Sequence, residues 1–310
     1  MPFKGEPAES PTWIPEPFQT AWNHGTAGMV RMLRRSKTAR RIDPGRRLGM
    51  AYERLDLFTD DGVRLDAWWV HPSPDAPRSD GLVAVMHHHY GGQKATMPPW
   101  IHYFWRLGIP TLSFDARGHA DSDPTPSGRG SFWKRRDDVH AAIAEAKRRG
   151  ARKILGFGQS QGAATLVMAL GHACPKELVG VVLDSGPAPD MGSAAWGLAG
   201  NMLGKHRKDR LARALLAGRI LPGTDPFQYP FVLWSGLLRL TRVPLLWIHG
   251  DLDQVIERRW SRGWYRPLRR LSGGRWTELM IPGGDHVRTL QADPGRVEAA
   301  MDTFLAALPT

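Results

Sequence analysis

Ser160 sits at the centre of Gly158-Gln159-Ser160-Gln161-Gly162, directly after the short apolar run Lys153 to Phe157 and directly before the run Ala163 to Leu170. A strand that turns sharply into a helix strains the backbone at the corner, so the positions two before and two after favour glycine. Such a corner lifts a hydroxyl clear of the sheet edge and sets it at a helix N-terminus, where backbone N–H groups can stabilise an oxyanion. The pentapeptide alone is common. With a strand before it and a helix after it, the pattern points to a nucleophilic serine rather than a plain Gly/Ser turn.

A serine hydroxyl is a poor nucleophile at neutral pH and needs a histidine base and a carboxylate that fixes the tautomer of that base. Both types occur downstream. Pro244 to Asp253 reads as an apolar strand entering a turn with two acids, Asp251 and Asp253, and Met280 to His286 reads as a strand end, a Gly-Gly turn and a histidine. The chain order is therefore Ser, Asp, His.

These residues resemble the α/β-hydrolase superfamily, of the serine esterase and lipase kind, and two further stretches strengthen the likeness. Asp115 to Asp123 is similar to the D-x-R-G-x-G-x-S-D stretch after the family's fourth strand, and His88-His89-Tyr90-Gly91-Gly92 to the H-G-Y-G-G stretch after its third. The five motifs fall in family order over about residues 50 to 308. The resemblance implies an α/β fold with a mostly parallel central sheet flanked by helices. It also implies Ser160, Asp253 and His286 as catalytic residues, and backbone N–H groups of Gln161 and Tyr90 as the oxyanion hole. The family's acid stands three residues after the glycine of the H-G turn, which favours Asp253 over Asp251; some members take it from the preceding strand, which keeps Asp184 as a weaker rival. His89 replaces the family's usual glycine.

The elements that must position these residues follow from periodicity. Tyr52 to Thr59 and Arg64 to His71 read as paired strands joined at Asp60-Asp61-Gly62, and Leu82 to His87, Pro110 to Phe114 and Leu178 to Asp184 as buried strands. Trp100 to Leu107 and Arg135 to Arg149 read as helices. Alternating strands and helices imply a parallel sheet covered on both faces, with ligands at the carboxyl ends of its strands.

The chain divides into a basic N-terminal extension (1–47), a hydrolase core (48–185 and 242–310) and an insertion (186–241) too long for a simple crossover, expected to be a helical cap. Its aromatic and aliphatic residues, Trp196 and Trp234 foremost, predict a mostly apolar cleft for an ester with an apolar acyl group. His87, His88 and His89 suggest a metal cluster at first sight, but successive side chains on a strand alternate faces and cannot converge on one ion, so no metal is expected. His119 and Asp123 are assigned to stabilising the loop after the fourth strand. No G-x-G-x-x-G or Walker pattern follows a strand, so no nucleotide cofactor is expected either.

Composition fits one enzyme unit. The 310 residues are 42% hydrophobic, the single Cys174 excludes an internal disulfide, and the polar start and the lack of an 18-residue apolar run predict a cytoplasmic protein. The net charge of +12 raises nucleic acid and anionic membranes as partners, but the scattering of Lys and Arg over helices favours solvated faces. One denser cluster, Arg31 to Arg47 beside Phe18, Trp22, Met29, Val30 and Leu33, has near-helical apolar spacing, and packing on the body is favoured over membrane contact. The expected activity is cleavage of a carboxylic ester through an acyl-enzyme. The same residues would serve acyl transfer, thioester or peptide cleavage, and a non-catalytic binding protein on this fold is the reading from another class.

Overall fold

The computed structural model describes residues 43–76, 80–124, 132–206, 208–221 and 228–309. The apolar and basic stretch before residue 43 therefore lies outside the described residues, and so does Phe227. The elements are α1 (Pro44–Leu48), β1 (Tyr52–Phe58), β2 (Arg64–Val70), β3 (Leu82–His87), α2 (Pro98–Arg106), β4 (Thr111–Phe114), α3 (Phe132–Arg148), β5 (Lys153–Gln159), α4 (Gln161–His172) and β6 (Leu178–Asp184). They continue with α5 (Met191–Leu203), α6 (Arg210–Ile220), α7 (Gln228–Leu240), β7 (Leu245–Gly250), α8 (Arg258–Leu271), β8 (Trp276–Ile281), α9 (Thr289–Ala292) and α10 (Pro294–Ala306).

The strands form one eight-stranded sheet in the order β1-β2-β4-β3-β5-β6-β7-β8. β1/β2 and β2/β4 are antiparallel and every other pair is parallel. The hairpin expected at Asp60-Asp61-Gly62 joins Phe58 to Arg64, with Gly62 at φ 79° supplying the left-handed corner. Alternate residues of the central strands feed two cores. Val83, Ile154, Val181 and Trp247 face α3, α4, α7 and α8, whereas Ala84, Phe157, Val182 and Ile248 face α2 and α10. Burial on both faces explains why the parallel strands read as continuous apolar runs. Aspartate side chains start the later helices by accepting backbone N–H groups: Asp190 from Ser193, Asp209 from Ala212 and Asp293 from Arg296.

Residues 186–241 do not behave as one piece. Tyr229, Leu233, Leu237 and Leu240 of α7 join the core beneath the sheet, and α7 crosses α4 where Gly171 and Gly236 meet backbone to backbone. α5 and α6 instead enclose a small core of their own, from Ala199, Met202, Leu203, Ala212 and Leu216. α5 reaches the body through Gly197, where a Cβ would stand 1.7 Å from the Val255 carbonyl oxygen.

The glycine crossing gives a test of packing. A Cβ on Gly236 would lie 2.4 Å from the Val167 carbonyl oxygen, while one on Gly218 of α6 meets nothing within 4 Å. Gly236→Ala is expected to destabilise the fold by about 1–3 kcal/mol through overpacking. Gly218→Ala is expected to stabilise it by roughly 0.5–1 kcal/mol through helix propensity. Urea unfolding midpoints of the two variants check the opposite signs.

Candidate active site

β5 ends at Gln159 and α4 begins at Gln161, so Ser160 alone makes the corner. Its backbone is at φ 51° and ψ −112°, a conformation that L-residues avoid. The neighbouring glycines make room for it. A Cβ at Gly158 would lie 2.7 Å from the Gly162 carbonyl and the Ala163 nitrogen, and a Cβ at Gly162 only 2.3 Å from the His87 carbonyl oxygen at the end of β3. The Ser160 N–H donates to the Asp184 carbonyl at 2.8 Å, which ties the corner to β6.

Three loops at the carboxyl ends of β5, β7 and β8 bring Ser160, Asp253 and His286 together. The Ser160 Oγ is 2.8 Å from His286 Nε2, and His286 Nδ1 is 2.8 Å from Asp253 Oδ2. With Asp253 ionised, Nδ1 carries the proton and donates to the carboxylate, which leaves Nε2 to accept from the Ser160 hydroxyl. The other oxygen, Asp253 Oδ1, accepts the N–H groups of Val255 and Ile256, both at 2.9 Å. Burial opposes ionisation of Asp253, but the His286 charge and hydrogen bond and the backbone N–H donors hold its pKa below the ordinary value. Burial likewise opposes protonation of His286, yet the Asp253 charge and hydrogen bond outweigh it and raise the imidazole pKa.

The rival acids have other tasks. Asp251 is exposed and accepts the Gly283 N–H at 2.7 Å, clamping the turn after β7 to the turn after β8. Asp184 is fully buried and accepts Gln159 Nε2 at 2.8 Å, with Ser185 Oγ and Thr289 Oγ1 both at 3.0 Å. Ser185 Oγ also accepts the N–H of Val287, a residue at φ 52°, so Asp184 and Ser185 fix the loop that carries His286. Sequence reasoning missed Ser185 and Thr289, for no motif marks them.

The loop after β3 has its own clamp. Buried Asp115 accepts the Lys94 N–H at 2.7 Å and Lys94 Nζ at 2.6 Å, and the same ammonium lies 2.7 Å from buried Asp66. His88 Nε2 accepts the Ala116 N–H at 3.0 Å, and its Nδ1 lies 2.8 Å from the His89 carbonyl. His87 Nδ1 lies 2.9 Å from the His88 carbonyl. Burial lowers the pKa values of His87 to about 3 and of His89 to about 4, which keeps both neutral near pH 7. His89 takes the place of a glycine without a left-handed backbone; Gly91, at φ 69°, makes that turn instead. Gln161 follows Ser160 at the start of α4 and Tyr90 lines the same cleft as Ser160; among the described residues neither backbone N–H is spent on another hydrogen bond. His119 lies against the Arg117 carbonyl at 3.2 Å, and Asp123 pairs with Arg64 at 3.1 Å; both hold the loop after β4.

Ser160 and His286 open into a cleft of about 1170 Å³ whose walls include Trp196 and Leu198 of α5, with Tyr90 and Val255 from the body. Trp234 is not on its walls, because it points with α7 against the main core. The expectation of a mostly apolar cleft also fails. The lining carries Lys208, Arg210, Arg213, Arg259 and Arg288 against Glu257 and Asp285. The physical reason is amphipathic packing: Ala199, Met202, Leu203, Ala212 and Leu216 are consumed in the mutual core of α5 and α6, which leaves Trp196 and Leu198 as an apolar strip among basic residues.

Comparisons with known proteins support the fold. The sequence model of the serine aminopeptidase S33 family, Hydrolase_4, matches residues 78–219. The esterase Pf2001 of Pyrococcus furiosus superposes with a TM-score of 0.64 over 84% of this chain and 92% of its own, at 21% identity. An α/β hydrolase from Novosphingobium aromaticivorans gives 0.54 over 82% and 98%, at 19% identity. This chain has the α/β-hydrolase fold. The uncharacterized protein YfhR of Escherichia coli strain K12 is 26% identical over 271 residues, which span 83% of this chain and 81% of YfhR. Among the described residues, no helix is long and apolar enough to cross a membrane.

The coupling of Asp253 to His286 can be read directly. In the native chain the His286 imidazole is expected to titrate above the ordinary histidine value of 6.5, because the neighbouring carboxylate favours the cation. Asp253→Asn removes that charge and is expected to bring the value down, whereas Asp251→Asn leaves it in place. Imidazole NMR titration of the three proteins checks the ranking.

Proposed function

We propose that this protein is a serine hydrolase of the α/β-hydrolase kind that cleaves carboxylic esters through an acyl-enzyme. The observation that carries the proposal is the continuous relay from Ser160 Oγ to His286 Nε2 and from His286 Nδ1 to Asp253, at 2.8 Å for each link. Ser160 Oγ attacks the acyl carbon while His286 takes its proton, and the Asp253 carboxylate stabilises the imidazolium that forms. The negative oxygen of the tetrahedral intermediate is held by the N–H groups of Gln161 and Tyr90. Collapse of the intermediate expels the alcohol, which receives the proton from His286. Water then attacks the acyl-enzyme, with His286 again as base, and releases the acid and the free Ser160 hydroxyl.

The likeness to the Pyrococcus furiosus esterase supports an ester over other acyl compounds. Peptide cleavage from a free N-terminus is less well served, since an α-ammonium group would enter a cleft that carries five cations against two carboxylates. A binding protein has no use for a base and an orienting acid held at hydrogen-bond distance from a hydroxyl. α5 and α6 act as the cap over the cleft, with Trp196 as its aromatic wall. A single cysteine, Cys174, leaves no need for an oxidising compartment, and we place the protein in the cytoplasm.

Two measurements test the proposal. Ser160→Ala and His286→Ala are each expected to lower kcat by a factor on the order of 10⁴–10⁶, with the double variant little worse than either, because the groups act as one unit. A fluorophosphonate probe should label the native chain and not Ser160→Ala; independent, additive losses or labelling of the variant would refute the assignment. In the second, kcat/KM should fall as pH drops through the His286 pKa, since only neutral imidazole accepts the Ser160 proton. Because that pKa is raised, the acid limb is expected above pH 6.5, and Asp253→Asn should move it lower.

A further inference from the structure

The cleft beside Ser160 carries more positive charge than its role as an ester site needs, and the surplus is not neutralised by neighbours. Of its five cations, two are committed. Arg213 stacks on the Trp196 ring with its guanidinium carbon 4.5 Å from the centroid, donates Nε to the Trp196 carbonyl at 2.8 Å and lies 3.6 Å from Glu257. Arg259 pairs with Glu257 at 2.8 Å and stacks on Trp260. The three others are Lys208, Arg210 and Arg288, all exposed on the cleft wall, and among the described residues their side chains have no ion pair or hydrogen-bond partner.

Among the described residues, none of the nearby acids forms an ion pair with them. Glu257 is taken by Arg213 and Arg259, and Asp285 accepts the backbone N–H of His286 at 2.7 Å. Asp209, between Lys208 and Arg210 in the chain, caps α6 by accepting the Ala212 N–H. Lys208 and Arg210 stand at the start of α6 and Arg288 two positions after His286, so the free cations border the cleft from the α5–α6 side and from the body. Basic residues also cover α8 away from the cleft, but Lys208, Arg210 and Arg288 stand on the walls of the cavity that holds Ser160 and His286.

The geometry points to a substrate with a negative charge: an ester whose acyl chain or alcohol bears a carboxylate or phosphate away from the scissile carbonyl, held by Lys208, Arg210 and Arg288. The inference rests on the serine-hydrolase proposal and names its substrate class. Each contact is solvent-exposed and individually weak, so discrimination comes from the cluster and weakens as salt screens it. Steering of an anion into the cleft acts in the same direction on kcat/KM.

The test uses matched ester pairs that differ only in charge. On the acyl side, mono-4-nitrophenyl adipate is compared with its methyl ester; on the alcohol side, 4-acetoxybenzoate is compared with methyl 4-acetoxybenzoate, each corrected for spontaneous hydrolysis. The full chain is expected to prefer the anion of at least one pair by about tenfold in kcat/KM at low ionic strength, equivalent to about 1.4 kcal/mol. The pair that shows the preference tells which side of the ester carries the charge. The preference should shrink in 1 M NaCl, where the Debye length falls to about 3 Å. It should also shrink in Arg288→Gln and in the double variant Lys208→Gln/Arg210→Gln, but not in Arg270→Gln on α8, which makes the same charge change away from the cleft. Hydrolysis of neutral and anionic esters at equal rates, dependent on Ser160, would overturn the inference and leave the hydrolase proposal standing. No Ser160-dependent turnover of either pair would overturn both.

Discussion

The site is organised around one strained residue. Ser160 holds φ 51° between a strand and a helix, a conformation that costs on the order of 1–3 kcal/mol and persists only when its surroundings leave no alternative. Those surroundings are close-packed backbone: Gly162 against the His87 carbonyl, Gly158 against the first turn of α4, and Gly186 within 3 Å of the Ser160 carbonyl for any added Cβ. The end of β3, the start of α4 and Gly186, two residues after β6, are thereby pressed onto one corner. The loop after β3, which carries Tyr90, cannot shift without disturbing the serine.

The second constraint is the buried carboxylate pair on either side of His286. Asp253 meets the imidazole directly, whereas Asp184 binds Gln159, Ser185 and Thr289 and reaches His286 only through the loop that Ser185 pins at Val287. The division is physical. Asp253 is ionised because a histidine and two backbone N–H groups offset its burial, so it can stabilise a positive charge. Burial raises the Asp184 pKa, and its three side-chain donors make it a structural junction among β5, β6 and α9. His249 completes this arrangement at 2.9 Å from the Ile256 carbonyl, holding the turn that presents Asp253.

The segment between β6 and β7 shows how amphipathic helices distribute their faces. α7 lays its apolar side on α4 and becomes part of the body, and α5 with α6 bury theirs against each other. The faces left over border the cleft, with Lys208, Arg210 and Arg213 beside Trp196 and Leu198. Most of the apolar residues that suggest a greasy pocket in the sequence, such as Met202, Leu203, Leu216 and Trp234, are taken up in packing instead.

The strand-to-helix corner at Ser160, the Ser-Asp-His order and the alternation of strands and helices are determined by local sequence. Each depends on glycine spacing, apolar periodicity or a turn within a few residues, and such signals survive without knowledge of the fold. Asp253 over Asp251 was legible only through family resemblance; the tertiary structure separates them because the turn after β7 aims one carboxylate inward to His286 and the other outward to Gly283. Ser185, Thr289 and the Lys94–Asp115 clamp left no trace, since hydrogen bonds between residues about 20 to 105 positions apart have no local pattern. Trp196 and Trp234 look equivalent in the sequence, yet only Trp196 lines the cleft. Which face of a helix meets solvent, and hence the charge that a substrate meets, is decided by which partner each helix packs against.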